Sequence, residues 1–251
     1  MKVPAIHAIG PVCITSPSGF RFWGLEHLPR DPGQPAEDHR RLVSSVLQDA
    51  WCGDGMTNEY QLDPAVLGPA PVIVDLGANV GSFALGAAAA IPGALILAVE
   101  PSLQSYGCLV ANVLEAAVQN RVVPARYAVA GSNARCVLIE NLTGTCRQSW
   151  EEYRALDPAY VFDGIVGAQG RTIEALLSEY EIERVDFLKV DIEGSEVDAF
   201  LATPPEVMRR IGLIAMEIHG KPGQDAMAAH IAKTHKVRIP GHLFAELREE
   251  P

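Results

Sequence analysis

The sequence has few cysteines, no long hydrophobic run and few basic residues, and each of these absences excludes a class of protein. Its 251 residues include five cysteines and no Cys-x-x-Cys pair, so neither a disulfide framework nor a structural zinc site is expected. A membrane helix needs roughly 18 consecutive apolar residues, and Pro92 and Gly93 interrupt the longest candidate run, residues 83–99. The first residues lack the apolar core of a secretory signal. These features predict a cytoplasmic protein without a membrane partner.

Basic residues are scarce, since 20 Lys and Arg stand against 31 Asp and Glu, for a net charge of −11. Proteins that bind nucleic acid usually present a basic face, and the sequence contains no run of Lys or Arg. Nucleic acid is therefore not expected as a partner. The hydrophobic content of 48% is ordinary for a globular protein and is enough to form a sizeable core.

Residues 1–70 are predicted to form an N-terminal hairpin-plus-helix extension. β-forming residues at 12–15 and 20–23 flank a turn rich in Ser, Pro and Gly, which indicates a hairpin. An amphipathic helix is indicated further on by apolar residues at helical spacing, namely Leu42, Val43, Val46 and Leu47. Glycines and prolines accumulate at 53–71 and suggest a boundary before a domain at 71–251. The extension either covers a ligand pocket or contacts a second copy of the chain in a homodimer.

From residue 71, short apolar runs alternate with helical patterns. This alternation predicts a parallel, doubly wound α/β sheet. The predicted strands are 71–76, 94–100, 122–129, 185–191 and 212–218, followed by a short pair at about 236–239 and 243–248. The predicted helices are 80–91, 102–118, 172–180, 195–201 and 224–235, and residues 131–170 are expected to be irregular apart from a short strand at 137–140. In such sheets the ligand lies beyond the carboxyl ends of the strands.

A turn that contains two glycines follows the first of these strands. Gly77 and Gly81 lack a Cβ, which suits a tight turn and a close approach of the helix start to a ligand. Glu100, at the end of the second strand, is placed to accept both hydroxyls of a ribose. Asn79 stands where a dinucleotide site has its second glycine, and Asp75 would repel a diphosphate but attract the cationic amino acid end of S-adenosylmethionine. The pattern favours S-adenosylmethionine over a nicotinamide dinucleotide.

A series of segments then resembles one enzyme family, in this order: AspLeuGlyAlaAsnValGly (75–81), AlaValGluPro (98–101), Asn112, TyrAlaValAlaGly (127–131), ThrIleGluAlaLeu (172–176), PheLeuLysValAspIleGluGlySerGlu (187–196) and MetGluIleHis (216–219). The series resembles the FkbM family of S-adenosylmethionine-dependent methyltransferases over about residues 71–219. The resemblance implies a class I methyltransferase Rossmann-like fold and S-adenosylmethionine as the cofactor. It also implies O-methylation of hydroxyls on sugars, polyketides or other secondary metabolites.

The resemblance also implies contacts with the cofactor. The methionine end and the ribose are expected to contact Asp75, Gly77, Asn79, Gly81 and Glu100. The adenine is expected to lie among Ser102, Leu103, Tyr127 and Ala128. Asn112 is instead expected to tie the second helix to a neighbouring loop.

Acidic residues crowd the end of the fourth strand. Asp191 and Glu193 fall at its carboxyl edge, beside the expected sulfonium of the cofactor, and Lys189 is a candidate ion-pair partner. Glu196 and Asp198 are interpreted as residues that favour the start of the next helix through its dipole.

Glu217 and His219 lie two residues apart at the end of the fifth strand and therefore share a face. A hydroxyl is a poor acid, so a base assists its attack on the methyl group. Our hypothesis is that His219 or Glu193 accepts the proton, while Asp191 orients or charges the site. Asp191, Glu217 and His219 could instead bind Mg²⁺, but this ion prefers oxygen ligands, so no metal is expected.

Other functions remain open at this stage. N- or C-methylation with the same cofactor is compatible with the motifs, because acceptor contacts come from variable loops. A nicotinamide oxidoreductase is disfavoured by Asp75 and Asn79, and a non-catalytic interaction module is disfavoured by the full set of cofactor-contacting side chains. Four aromatic residues at 140–170 either form a lid over a small-molecule acceptor or anchor a surface loop: Trp150, Tyr153, Tyr160 and Phe162.

Overall fold

The structure, a computed structural model, describes residues 9–15, 21–27, 59–141, 144–148, 164–219, 222–238 and 242–248. The amphipathic helix predicted in the N-terminal extension and the four aromatic residues considered for a lid lie outside the described residues. None of the helices that the structure describes is long and apolar enough to cross a membrane.

Seven strands form a central sheet in the order β12-β13-β11-β10-β3-β4-β5. The strands of the described ranges are β1 (Ile9–Thr15), β2 (Arg21–His27), β3 (Val72–Leu76), β4 (Leu95–Val99), β5 (Val122–Ala125), β6 (Ala128–Val129), β7 (Arg135–Asn141), β8 (Gly144–Gln148), β9 (Gly164–Arg171), β10 (Val185–Val190), β11 (Ile211–Met216), β12 (His235–Arg238) and β13 (Leu243–Leu247). The five strands from β11 to β5 are parallel, whereas β13 runs antiparallel to both of its neighbours.

Helices pack on both faces of this sheet. They are α1 (Pro64–Leu67), α2 (Ser82–Ala90), α3 (Leu103–Glu115), α4 (Ile173–Glu179), α5 (Glu196–Leu201), α6 (Pro205–Met208) and α7 (Gln224–Ile231). One buried cluster joins apolar residues of α2 and α3 to the sheet, and another joins those of α4, α5 and α7. The neighbouring residues Ile73 and Val74 belong to different clusters, as expected for a strand that is covered on both faces.

The chain order places a topological switch point between β3 and β10. From β3 the chain passes outward to β4 and β5, and it then returns to form β10 on the other side of β3. Lys189 of β10 lies beside Asp75 of β3 in the register of the two strands. The predicted doubly wound α/β architecture is confirmed, and the carboxyl ends of β3 and β10 are the expected place for a ligand.

Two predictions for the middle of the chain are wrong. The single strand predicted at 122–129 is divided, because β5 pairs with β4 whereas β6 pairs with β9. The region 131–170, predicted to be irregular apart from a short strand at 137–140, contains β7, which confirms that short strand, and also the unpredicted β8 and β9. These three strands join β6 in a second sheet of order β6-β9-β7-β8. Glycines conceal β9 in the sequence, and Gly170 is needed there because a Cβ would lie 2.2 Å from the Ala134 carbonyl oxygen.

The predicted N-terminal hairpin is confirmed. Asn112, which lies on α3, connects this hairpin to the helices that pack on the central sheet. Strands β1 and β2 pair in antiparallel fashion from Ile9↔His27 to Thr15↔Arg21. Asn112 Nδ2 donates to the carbonyl oxygens of Trp23 and Val80 at 2.8 Å each, and Asn112 Oδ1 accepts from the Trp23 backbone N–H at 2.6 Å. The predicted structural role of Asn112 is therefore confirmed, and it extends to the hairpin.

Candidate active site

The turn after β3 has the left-handed backbone that glycine permits. Gly77 and Gly81 have φ of 79° and 95°, and Asn79 between them has φ of 50°. A Cβ on Gly77 would lie 1.7 Å from the Asp191 carbonyl oxygen, and a Cβ on Gly81 would lie 2.7 Å from Leu109 Cδ1. Packing against the backbone of Asp191 thus requires glycine at position 77, a reason that the sequence interpretation did not include. At Gly81 the contact is with the end of a flexible side chain, and the left-handed φ is what favours glycine.

Glu100 at the end of β4 is held by two backbone hydrogen bonds. Its Oε2 accepts the N–H of Asn79 and its Oε1 accepts the N–H of Ser102, each at 2.8 Å. Burial raises the pKa of Glu100 to about 7, although the two hydrogen bonds oppose this shift. Each carboxylate oxygen keeps a second lone pair, so the group is oriented to accept further hydrogen bonds. Leu103, which follows the N-cap residue Ser102, is 56% exposed.

Asp75 and Lys189 form a buried ion pair beneath the turn. Asp75 Oδ1 lies 3.2 Å from Lys189 Nζ, and both side chains are essentially inaccessible to solvent. Lys189 Nζ also donates to the Gly77 carbonyl oxygen at 2.8 Å and lies 3.6 Å from Asp191 Oδ2. Burial disfavours the ammonium, but the carboxylates of Asp75 and Asp191 outweigh this effect and raise the pKa of Lys189. The predicted Lys189–Asp191 contact is present, and Asp75 is the closer partner.

Tyr60 enters the same site from a distant part of the sequence. Its hydroxyl lies 3.2 Å from Asp191 Oδ2 and 3.5 Å from Glu217 Oε2. Lys189 Nζ lies 5.3 Å from the centre of the Tyr60 ring, a distance at which a cation is attracted to an aromatic face. Burial and the neighbouring carboxylates, with Asp191 first among them, raise the pKa of Tyr60, so its hydroxyl stays protonated and acts as a donor.

His219 lies at the centre of four carboxylates. Its Nδ1 is 2.8 Å from Oε1 of the buried Glu196, and its Nε2 is 3.6 Å from Asp191 Oδ1, 3.6 Å from Glu193 Oε2 and 3.7 Å from Glu217 Oε1. The Gly194 backbone N–H also donates to Glu196 Oε1. The structure thus brings together the three predicted catalytic residues, Asp191, Glu193 and His219.

The pKa shifts of His219 and Glu193 distinguish the two candidate bases. The hydrogen bond to Glu196 raises the pKa of His219 to about 9, against the effect of burial and with help from Glu193, Glu196 and Asp191. Burial raises the pKa of Glu193, although the nearby His219 opposes this shift. At neutral pH His219 therefore favours the imidazolium form, whereas burial increases the basicity of the Glu193 carboxylate.

Tyr127 and Ala128 contact the second sheet and α4. The Tyr127 hydroxyl donates to Glu179 Oε1, and Arg171 lies over the Tyr127 ring at 4.5 Å. Ala128 is buried and packs with Ala168. A position of Tyr127 and Ala128 beside the adenine remains a prediction.

Among the residues that the structure describes, two groups of side chains have donor atoms close enough to share a metal ion. Asp191, Glu217 and His219 form one group, and Glu59, Glu217 and His242 form the other, with the donor atoms of each group within 4.8 Å of one another. The first group is the trio that the sequence analysis named. Each group includes an imidazole nitrogen, whereas Mg²⁺ prefers ligands that are all oxygen.

Two residues of this site were missed or underrated from the sequence. Tyr60 stands alone in a region rich in glycine and proline, where no local pattern connects it with Asp191, 131 residues away. Glu196 does lie in the first turn of α5, as predicted, but its burial and its contact with His219 were not expected. The sequence feature that could have identified Glu196 as a site residue is its position in an acidic run directly after a buried strand.

Comparison with known proteins identifies a family over most of the chain. A family model described as the methyltransferase FkbM domain matches residues 75–249. The AMB antimetabolite synthetase AmbE of Pseudomonas aeruginosa is 26% identical over 191 residues, which are 64% of this chain and 9% of that protein. The methyltransferase sdnD of Sordaria araneosa is 29% identical over 182 residues, which are 63% of this chain and 70% of that protein. The chain thus spans only a small part of AmbE.

Among solved structures, those of several methyltransferases are similar to this chain at low sequence identity. The crystal structure of methyltransferase FkbM from Methylobacillus flagellatus is 14% identical, with 83% of this chain and 60% of that chain covered at a TM-score of 0.48. An O-methyltransferase from Bacillus cereus, solved in complex with SAH, is 12% identical, with 88% of this chain and 93% of that chain covered at a TM-score of 0.45.

Proposed function

Because the chain belongs to the FkbM methyltransferase family, we propose that it transfers a methyl group from S-adenosylmethionine to a hydroxyl of a small molecule, such as a sugar, a polyketide or another secondary metabolite. The observation that carries the hydroxyl assignment is the presence of a candidate base, Glu193, whose carboxylate lies 3.6 Å from His219 at the strand ends and has a pKa raised by burial. A hydroxyl must lose its proton as it attacks, and a positioned base contributes about 10²–10⁴-fold to such a step. S-adenosylmethionine supplies a methyl group on a positively charged sulfur.

The residues at the switch point fit this cofactor. Glu100 is fixed by backbone donors and has lone pairs left for the two hydroxyls of a ribose. Leu103 offers an exposed apolar surface beside it for the adenine. Asp191 adjoins the glycine turn and contributes negative charge close to where a sulfonium would lie. Asp75 is already paired with Lys189, so it would act on the amino acid end of the cofactor through the field of that pair.

Of the two candidate bases, Glu193 fits the role better in this structure. A base must be unprotonated at the working pH and have a pKa close to it. The raised pKa of Glu193 moves towards neutrality, whereas His219, with a pKa of about 9, already carries a proton. Glu193 would accept the proton of the hydroxyl, while Glu196 holds the His219 ring and the imidazolium limits repulsion among the carboxylates.

Substitution of Glu193 tests this assignment. We expect Glu193→Gln to lower kcat by about 100-fold or more, because the amide cannot accept the proton. The affinity for S-adenosylhomocysteine should stay within about twofold, and Glu206→Gln, which removes an exposed carboxylate on α6, serves as the matched control. Turnover that remains at the wild-type level in Glu193→Gln would exclude Glu193 as the base.

The name of one relative, AmbE, supports an acceptor from secondary metabolism. AmbE is named an antimetabolite synthetase and sdnD a methyltransferase. The second candidate, N-methylation, is favoured by the surplus of carboxylates, since Asp191, Glu193 and Glu217 would attract an amine. An amine has its own lone pair and depends less on a base, so the Glu193→Gln variant would retain most of its activity on an amine.

The decisive experiment has two stages. Calorimetry with S-adenosylhomocysteine first measures cofactor binding, for which we expect micromolar affinity. The protein is then incubated with methyl-labelled S-adenosylmethionine and matched pairs of hydroxylated and amino-substituted small molecules. Label in the hydroxylated members supports the proposal, and label in the amino members alone supports N-methylation. A protein that binds neither adenosyl compound would contradict both.

A further inference from the structure

Tyr60 precedes the part of the chain that matches the family model, which starts at residue 75, yet its side chain completes the active site. The residue is 1% exposed, so it cannot make broad contact with a ligand. Its ring packs edge-on against Phe83 at a centroid distance of 5.6 Å and against His242 at 5.7 Å. These contacts fix the ring and therefore the position of its hydroxyl at the ends of β10 and β11.

The hydroxyl offers one proton to two carboxylates. Asp191 Oδ2 at 3.2 Å is the nearer acceptor, and Glu217 Oε2 at 3.5 Å is the other. Two carboxylates that both lie this close to one hydroxyl repel each other unless a donor or a cation lies between them. Lys189 is 3.6 Å from the same Asp191 oxygen. Tyr60 and Lys189 together therefore hold Oδ2 of Asp191 and leave Oδ1 on the side of His219.

We infer that Tyr60 is a positioning residue, whose hydroxyl orients the Asp191 carboxylate towards the charged sulfur of the cofactor. The inference rests on the proposed function, because it assumes that the cofactor is S-adenosylmethionine. Asp191 touches the cofactor, and Tyr60 acts through Asp191. The site is therefore incomplete without this tyrosine from the N-terminal part of the chain.

Two ligands that differ in charge at one atom test this role without an identified acceptor. S-adenosylmethionine has a positive sulfur, and S-adenosylhomocysteine has a neutral one. We expect Tyr60→Phe to weaken the binding of S-adenosylmethionine about fivefold and that of S-adenosylhomocysteine less than twofold, since the substitution removes one hydrogen bond to a charged group. The phenylalanine keeps the ring and its packing, so a merely structural role would leave the ratio of the two affinities unchanged.

The controls separate the two proposals. Tyr180→Phe removes a half-buried hydroxyl at the end of α4 and should leave both affinities unchanged. In an Asp191→Asn background, Tyr60→Phe should no longer change the ratio, because the group through which it acts is gone. A wild-type protein that binds neither compound would contradict the proposed function. A wild-type protein that binds both, with an unchanged ratio in Tyr60→Phe, would contradict the role of Tyr60 alone.

Discussion

At the scale of single residues, Lys189 stabilises the fold by compensating the buried carboxylate of Asp75. It is the only described cation in contact with Asp75, whose side chain is 0% exposed and whose Oδ2 accepts no hydrogen bond from the described residues. Lys189→Met keeps the volume but leaves a buried, uncompensated carboxylate, which costs about 3–5 kcal/mol. Urea denaturation should show this loss, whereas Lys233→Met at an exposed site should show almost none. If the double variant with Asp75→Asn does not recover a large part of the stability, the ion pair is not the cause.

Glu100 makes cofactor binding dependent on pH. Because burial raises its pKa to about 7, the carboxyl is increasingly protonated below that pH and loses its capacity to accept two ribose hydroxyls. We expect the affinity for S-adenosylhomocysteine to fall by about thirtyfold between pH 8 and pH 5.5, as the release of one proton on ligand binding requires. Calorimetry across this range measures it, and Glu100→Gln should give weak binding that is independent of pH.

The raised pKa of Glu100 also makes the stability of the fold depend on pH, in the direction opposite to that of ligand affinity. A carboxyl whose folded pKa is raised contributes stability below its ordinary pKa and loses that contribution as the pH rises through the folded value. The contribution of Glu100 to unfolding free energy therefore declines between the ordinary glutamate pKa of 4.5 and about 7, while ligand affinity increases over that window. Affinity and stability that change in parallel would show that another group controls binding.

At the scale of elements, the sequence predicts the central sheet well and the second sheet poorly. Strand β10 is mostly apolar and is buried on both faces, although it includes Asp186 and Lys189, and the predicted strand at 185–191 differs from the observed Val185–Val190 by one residue. Strand β9 contains three glycines in eight residues and has no such pattern. Its extended form depends on pairing with β7 and β6, which lie far from it in the sequence.

The residues of the site also differ in how well the sequence predicts them. Parallel strands bring their carboxyl ends to one edge, so Asp191, Glu193 and His219 could be placed together from their positions after two strands. Tyr60 precedes the first strand of the sheet and reaches the edge through packing against Phe83. Such a contact depends on tertiary structure and leaves no local signal in the sequence.

At the scale of the whole molecule, the net charge of −11 attracts divalent cations without a specific site. A test for a specific metal site must therefore control for ionic strength. His219 Nδ1 is already bound to Glu196, Asp191 Oδ2 is held by Tyr60, and Mg²⁺ prefers an octahedron of oxygens. We therefore expect the affinity for S-adenosylhomocysteine in EDTA to equal that in Mg²⁺ within about twofold when NaCl matches the ionic strength, since salt screens unspecific attraction. A tightening by Mg²⁺ that persists in high salt, disappears in Glu217→Gln and survives in Glu59→Gln would show instead that Asp191, Glu217 and His219 bind the ion.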